Sequence, residues 1–236
     1  MTAEVKQENH IDKRFVATDS TATKMYMSYA ISRHFARLII SVYFRCNSYN
    51  SEYVPITGPV IIASNHVSYF DPFIVGAAVN RRICYLCRDS AFKWPIIGYL
   101  LKHWNAVPVD REGRSPRGLK AVLDRLKTGE AVMLFPEGTR TYDGNLQQAK
   151  PGIGLLVAQT DAPVVPVRIF GMWEAFNRFM RLPRPKPVNV VFGKALSFEH
   201  KRRELQNASP QRAKEIYKEI ADEIMEAIGK IQNKKD

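Results

Sequence analysis

The order of apolar patterns along this chain predicts an α/β fold. It is a central mixed, largely parallel sheet flanked by helices and preceded by an N-terminal amphipathic helical segment. Three observations carry this. Short apolar runs alternate with helical stretches, as in 60–63, 82–88, 131–135 and 164–170. These runs are continuous rather than alternating, the mark of strands buried on both faces. The 236 residues, 45% hydrophobic and 25% charged, are enough for one domain with a sizeable core.

Residues 1–24 read as a polar, flexible leader with four acids and four bases. Met25 to Arg45 has a helical pattern. Arg33, Arg37, Ser41 and Arg45 recur every four residues, beside a wide aromatic and aliphatic face running from Tyr26 to Phe44 and including Phe35, Leu38, Ile40 and Val42. Residues 25–50 are therefore read as a membrane-associating helical segment, or as a helix whose apolar face docks on the domain. The 51–236 remainder is the main domain. Pro55 to Gly58 breaks the chain, and Val60 to Ala63 forms a buried strand. Asp71 stands as N-cap and Pro72 as first residue of a helix running through Phe73 to Val79. Arg82–Arg88 is a strand, Lys93–Leu101 a short helix, Ala106–Val109 a strand and Pro116–Lys127 a helix. Ala131–Phe135 is a strand, and a helix follows Lys150-Pro151-Gly152. Val164–Phe170 is a strand whose Pro166 points to an edge or a bulge. The mixture of Pro, Arg and Lys at 181–187 marks a surface loop; Val188–Phe192 is a strand and Pro210–Ile231 a closing amphipathic helix.

The formal charge is +12. Residues 201–236 contribute +2 and 1–24 nothing, so +10 lies in 25–200. Charge spread through the folded body favours anionic lipid, phosphorylated substrates or nucleic acid over a basic binding tail. No aromatic RNA-binding signature, zinc-finger spacing or basic zipper accompanies it, so nucleic acid is not expected as a partner. The chain shows no signal-peptide pattern and no apolar run long enough to span a bilayer. Three cysteines, Cys46, Cys84 and Cys87, do not make a disulfide framework. The lone Cys84-x-x-Cys87 lacks a second pair of ligands, so buried strand thiols are expected and no metal.

SNHVSYFDP, 64–72, contains the first candidate for chemistry. His66 ends a strand and Asp71 opens a helix, so the turn between them can fold the carboxylate onto the imidazole. A carboxylate on one ring nitrogen fixes the tautomer and leaves the other free to take a proton. A capping Asp beside a structural His explains the same letters. The stretch 132–141, VMLFPEGTRT, runs from a buried strand into a glycine turn and Arg140. Exposed N–H groups and a guanidinium fork suit a phosphate, although a plain strand-end turn reads the same way. Arg111 stands just past the strand in AVPVDREG, 106–113. There is no GxSxG nucleophile elbow, and nothing marks Ser68 as activated.

Together these stretches resemble the glycerolipid acyltransferases, over about residues 55–200. Asn65-His66 to Asp71 is similar to the NHxxxxD block, and Phe135 to Arg140 spells FPEGTR. Arg111 in VPVDR resembles the second block, Val165-Pro166-Val167 the fourth, and Lys150 and Gly152 the residues downstream of FPEGTR. Asn105 to Asp110 departs from the usual second block, and the first helix is more polar than a spanning anchor. The resemblance is strongest to the 1-acylglycerol-3-phosphate acyltransferases. It implies His66 as general base aligned by Asp71. Substrate contacts would come from Arg111, Glu137, Gly138, Thr139, Arg140, Lys150 and Pro166. It further implies a lysophospholipid acceptor, 1-acylglycerol 3-phosphate first, with glycerol 3-phosphate, another lysophospholipid or an ornithine lipid as alternatives. An acyl-CoA or acyl-carrier-protein thioester is implied as co-substrate, and no separate cofactor or metal. Such a protein is expected on the cytoplasmic face of an anionic membrane, peripheral or monotopic.

Overall fold

A run of fully buried apolar residues is possible only where both faces of a strand are covered. Strand β2, Val60–Ser64, is such a case in the computed structural model, with Val60, Ile61, Ile62 and Ala63 all out of contact with solvent. The structure describes residues 20–95, 98, 99, 101, 104–109 and 116–234. The other strands are β1 Asn47–Tyr49, β3 Ile83–Arg88, β4 Ala106–Val109, β5 Ala131–Leu134, β6 Val164–Phe170 and β7 Asn189–Phe192. They form one sheet in the order β1-β7-β6-β2-β5-β3-β4, parallel throughout except for the β6–β7 pair. The helices are α1 Ser20–Tyr43, α2 Asp71–Ala78, α3 Pro116–Lys127, α4 Pro151–Ala158, α5 Met172–Ala175, α6 Glu199–Leu205 and α7 Pro210–Lys230.

Alternation along β2 divides the core in two. Val60 and Ile62 pack on one side with Ile74 and Val75 of α2 and with Ile40 and Phe44. Ile61 and Ala63 pack on the other with Leu126 of α3, Val157 of α4 and Ile216, Ile220 and Ile224 of α7. The α/β sandwich is therefore as the sequence predicts. The parallel strands β2 and β5 lie side by side, with Ala63 opposite Leu134, so their carboxyl ends open at the same level. Ligands in such sheets bind at those ends.

Several expectations need correction. Asp71 is the first helical residue of α2 and not its cap; Phe70 occupies the cap position. Pro166 is not on an edge strand, because β6 lies between β2 and β7. Its missing N–H falls where the β7 ladder ends at Phe192. The next residue, Gly193, donates to Pro166 O at 2.8 Å, and pairing resumes at Val164 with Leu196. A proline fits in an interior strand here because the neighbouring ladder is interrupted at its position. Strand β1 and helices α5 and α6 are too short to show a period in the sequence. Residues 1–19 of the leader, parts of 93–101, and Arg111 lie outside the described residues.

Helix α1 docks on the domain by one face and leaves another exposed. Ala36, Ile40 and the following Phe44 pack on the core, and the Arg33 guanidinium donates to Val79 O. Ile31, Phe35, Leu38, Ile39 and Val42 face outward, with Val42 71% exposed. No helix among the described residues is long and apolar enough to cross a membrane. Cys84 and Cys87 sit three apart on β3, hence on opposite faces. Burial pushes both thiols up, Cys84 to about 11.

Helices α4 and α7 touch backbone to backbone. A Cβ added at Gly154 would lie 1.8 Å from Tyr217 O, whereas one added at Gly152 would meet nothing within 4 Å. Gly154→Ala is expected to lower stability by about 1–3 kcal/mol, since two packed helices must separate. Gly152→Ala is expected to leave it unchanged or raise it by up to about 1 kcal/mol. Urea denaturation of the two variants checks this; equal midpoints would show that the interface yields.

Candidate active site

β2 ends at Ser64, and the chain turns through 65–70 before α2 begins. Within that turn one carboxylate oxygen gathers three donors. Asp71 Oδ2 accepts the N–H of Val67 at 2.7 Å and of Ser68 at 2.8 Å, and lies 2.8 Å from His66 Nδ1. Asp71 is fully buried. An oxygen that already accepts two backbone N–H groups is an acceptor for the third, so Nδ1 carries the proton. Nε2 is then the basic nitrogen, and no protein group among the described residues bonds it. The imidazole is stacked on Phe135, centroids 3.8 Å apart and planes 15° apart, and stays 18% exposed. The capping account of Asp71 fails, because its side chain reaches back to 66–68 and not forward into α2. Ser68 is a turn residue whose buried Oγ accepts from Phe70 N–H at 3.1 Å.

The 135–141 turn closes on the same histidine. Glu137 Oε1 accepts the His66 backbone N–H at 3.1 Å, and Thr141 N–H donates to His66 O at 2.8 Å. Both main-chain polar groups of His66 are thereby fixed by a segment about seventy residues later. Glu137 is only 2% exposed, so it positions the histidine and does not present itself to a ligand. Burial pushes its carboxyl up to about 7, with the Asp71 charge adding to this; the N–H groups of His66 and Gln147 act against it. Gly138 adopts φ +66°, and the Lys150 side chain lies directly over it, with Nζ 3.2 Å from the Cβ position. Lys150 also donates its backbone N–H to Pro136 O at 2.9 Å. Thr139 is half-buried beside Gly138. Pro166 is buried in the sheet, which makes it scaffold.

Arg140 supplies the positive wall. Its guanidinium lies 3.4 Å over the exposed Tyr69 ring, and its Nη1 is buried without a hydrogen-bond partner. Burial lowers its pKa, with Arg178 and Arg88 acting the same way; Tyr69 and Asp71 oppose them. Arg178 Nη1 donates to Arg140 O at 3.1 Å. Arg178 and Arg88 thus lie within electrostatic reach of Arg140, which also feels Asp71, a field that draws an anion.

A family model described as acyltransferase matches residues 45–170, more than half of the chain. The chain belongs to the acyltransferase family. Among curated members it is similar to the chloroplastic 1-acyl-sn-glycerol-3-phosphate acyltransferase of Arabidopsis thaliana, 31% identical over 146 residues, 60% of this chain and 40% of that protein. The 1-acyl-sn-glycerol-3-phosphate acyltransferase of Bacillus subtilis is 29% identical over 185 residues, 76% of this chain and 92% of that one. A lyso-ornithine lipid O-acyltransferase of Rhizobium meliloti is 35% identical over 89 residues, 37% and 30% of the two chains. This acyltransferase-family chain thus covers less than half of the Arabidopsis relative. The crystal structure of the 1-acyl-sn-glycerophosphate acyltransferase of Thermotoga maritima has the same fold, with TM-score 0.62, 19% identity and 91% coverage of both chains.

Four residues of the site have roles that the sequence did not assign. Arg88 ends β3 much as Arg111 follows β4, and that strand-end placement was its signal. Asn65 Oδ1 accepts from Ile169 N–H at 2.8 Å and its Nδ2 donates to Ile169 O at 3.2 Å, tying the histidine turn to β6. Thr141 and Arg178 gave no local signal, because their roles depend on long-range contacts.

Glu137 predicts a pH effect. Its pKa is about 7 when folded against the ordinary 4.5, so between these values the folded state binds more protons than the unfolded. This stabilising contribution is complete below pH 4.5 and is lost as pH rises through 7. Glu137→Gln keeps an acceptor for His66 N–H and removes the titration. Its denaturation midpoint, relative to wild type, is expected to improve steadily from pH 5 to pH 8. A parallel pair of profiles would show that Glu137 titrates normally.

Proposed function

We propose that this protein moves a fatty acyl group from an acyl thioester to the free hydroxyl of 1-acylglycerol 3-phosphate, giving phosphatidate. The observation that carries the reading is the His66–Asp71 pair, with Nδ1 engaged at 2.8 Å and Nε2 left basic beside a cluster of arginines. His66 Nε2 takes the proton of the acceptor hydroxyl as its oxygen attacks the thioester carbonyl. The new C–O bond forms, the C–S bond breaks, and the imidazolium returns its proton to the leaving sulfur. Asp71 holds the ring and stabilises its charged form. The step as written involves no acyl-enzyme, metal or resident cofactor; the donor is acyl-CoA or an acyl-carrier-protein thioester.

Arg140 and Lys150, joined by Arg88 and Arg178, hold the acceptor phosphate, with Arg111 assigned there by its strand-end position. The Gly138-Thr139 turn offers backbone donors beside them. A lyso-ornithine lipid offers a carboxylate in place of a phosphate, with less charge and fewer acceptor oxygens for several cations, which favours the phosphate-bearing acceptor. The exposed stripe on α1 and the net charge of +12 support action at an anionic, cytoplasmic membrane surface.

Thiol release from oleoyl-CoA tests the reading. Release should require lysophosphatidate and exceed that with lyso-ornithine lipid; stimulation by the latter alone would change the acceptor. His66→Ala should lose about a hundredfold to ten-thousandfold in turnover while its melting curve stays cooperative. Substantial remaining turnover would remove His66 from the chemistry. Arg140→Ala should raise the acceptor KM more than the donor KM; the reverse would move Arg140 to the donor site.

A further inference from the structure

The stretch rich in Pro, Arg and Lys plays no part in the chemistry above, yet it is held firmly against the site. Residues 176–187 return from α5 to β7. Arg184 N–H donates to Ala175 O at 2.8 Å, Asn177 Nδ2 to Trp173 O at 3.0 Å, and Met180 N–H to Asn177 O at 3.2 Å. Pro183, Pro185 and Pro187 limit the backbone further. At its start, Arg178 bonds Arg140 O and lies 3.6 Å over the Tyr142 ring. At its far end, Tyr43 Oη of α1 donates to Pro183 O at 2.8 Å. The loop therefore bridges the arginine cluster and the end of the helix that carries the exposed apolar stripe.

Its outer surface has an unusual composition. Phe179 is 68% exposed and Leu182 77%. Arg181, Arg184 and Lys186 are exposed, and none of these side chains has a hydrogen-bond or ion-pair partner among the described residues. A cleft of about 690 Å³ opens beneath, lined by Trp173, Phe179, Met180, Arg184 and Lys186, with Glu174 on its wall. Two apolar side chains standing out between unpaired cations suit insertion between lipid headgroups. The tie to α1, whose Ile, Phe, Leu and Val stripe is likewise exposed, favours a lipid surface over an acidic protein partner.

We infer that the 178–187 loop is a second lipid-binding element, whose cleft takes the phosphate headgroup of an anionic phospholipid from the bilayer surface. Phe179 and Leu182 enter the interface beside the α1 stripe, and Arg181, Arg184 and Lys186 pair with headgroup phosphates. The inference rests on the reading that the protein works on a lipid-borne acceptor. It adds that the surface is engaged at two points joined by Tyr43 and Pro183, and that the second leads directly to Arg140.

The test uses the full chain and the triple variant Arg181→Ala/Arg184→Ala/Lys186→Ala. Both are sedimented with vesicles of phosphatidylcholine alone and of equal parts phosphatidylcholine and phosphatidylglycerol. Each surface cation contributes about fivefold, so the variant should bind the mixed vesicles about a hundredfold more weakly. It should differ little from wild type on phosphatidylcholine. The lysine variant Arg181→Lys/Arg184→Lys should retain binding, and Leu182→Ser should weaken binding to both vesicles. Transfer to a short-chain lysophosphatidate dissolved as monomers should be unchanged in the triple variant. Equal binding of wild type and triple variant to the mixed vesicles overturns the inference, as does failure of both to bind. Unchanged vesicle binding with loss of transfer from an acyl-carrier-protein thioester overturns it in favour of an acidic protein partner. The monomeric-acceptor assay judges the acyl-transfer reading separately, since it needs no surface.

Discussion

The three hydrogen bonds on Asp71 Oδ2 are the contact on which the rest of the site depends. A carboxylate removed from water costs several kcal/mol unless donors replace the lost hydration. Here the donors are two backbone N–H groups and an imidazole, all within five residues of Asp71. The short turn from 65 to 70 is thus pulled around one oxygen. Because Val67 and Ser68 hold the carboxylate from the side, it is oriented before the imidazole meets it. The histidine then has one tautomer and one ring position, and Phe135 stacks against the face it presents.

Orientation of a side chain is of little use if its backbone drifts. Glu137 and Thr141 secure the two main-chain polar groups of His66 from the turn after β5. This is possible because β2 and β5 are parallel neighbours in register, so their carboxyl-end turns lie side by side. The same adjacency brings Arg140 over Tyr69 of the histidine turn, and Lys150 lies over Gly138 of the turn that holds the histidine's backbone. Arg178 and Arg88 repel Arg140, and burial adds to the cost of its charge. Such a cluster is stable enough in a well-packed fold, but it is relieved when an anion enters. The orientation of His66 and the placement of the cations therefore have one structural origin.

The exposed apolar elements are attached to this centre and not merely appended. Helix α1 spends one face on the core through Ala36 and Ile40 and leaves a stripe of Ile, Phe, Leu and Val outside. The basic loop after α5 is tied both to α1 and to Arg140. Under the proposed function, this layout of apolar contacts outside and cations inward suits a substrate whose tail lies in a bilayer and whose headgroup lies in water.

The sequence by itself determined the sheet and the chemistry-bearing letters. Buried strands such as 60–63 read as continuous apolar runs because both faces are covered, and α7 showed its 3.6-residue period because one face is wet. His66, Asp71 and Arg140 were visible because their spacing and strand-end positions are local properties. What the sequence left open depended on contacts between distant segments. It allowed Asp71 to be a cap, Pro166 to mark an edge and Glu137 to face the substrate. The fold turned Asp71 back onto His66, placed Pro166 where the β7 ladder is interrupted, and buried Glu137 under the histidine's N–H. Thr141, Arg88 and Arg178 acquire roles only when parallel strands bring their turns together. Local patterns record which face a residue prefers, but hydrogen bonds across tens of residues leave no period to read. Tertiary structure alone decided which polar groups meet.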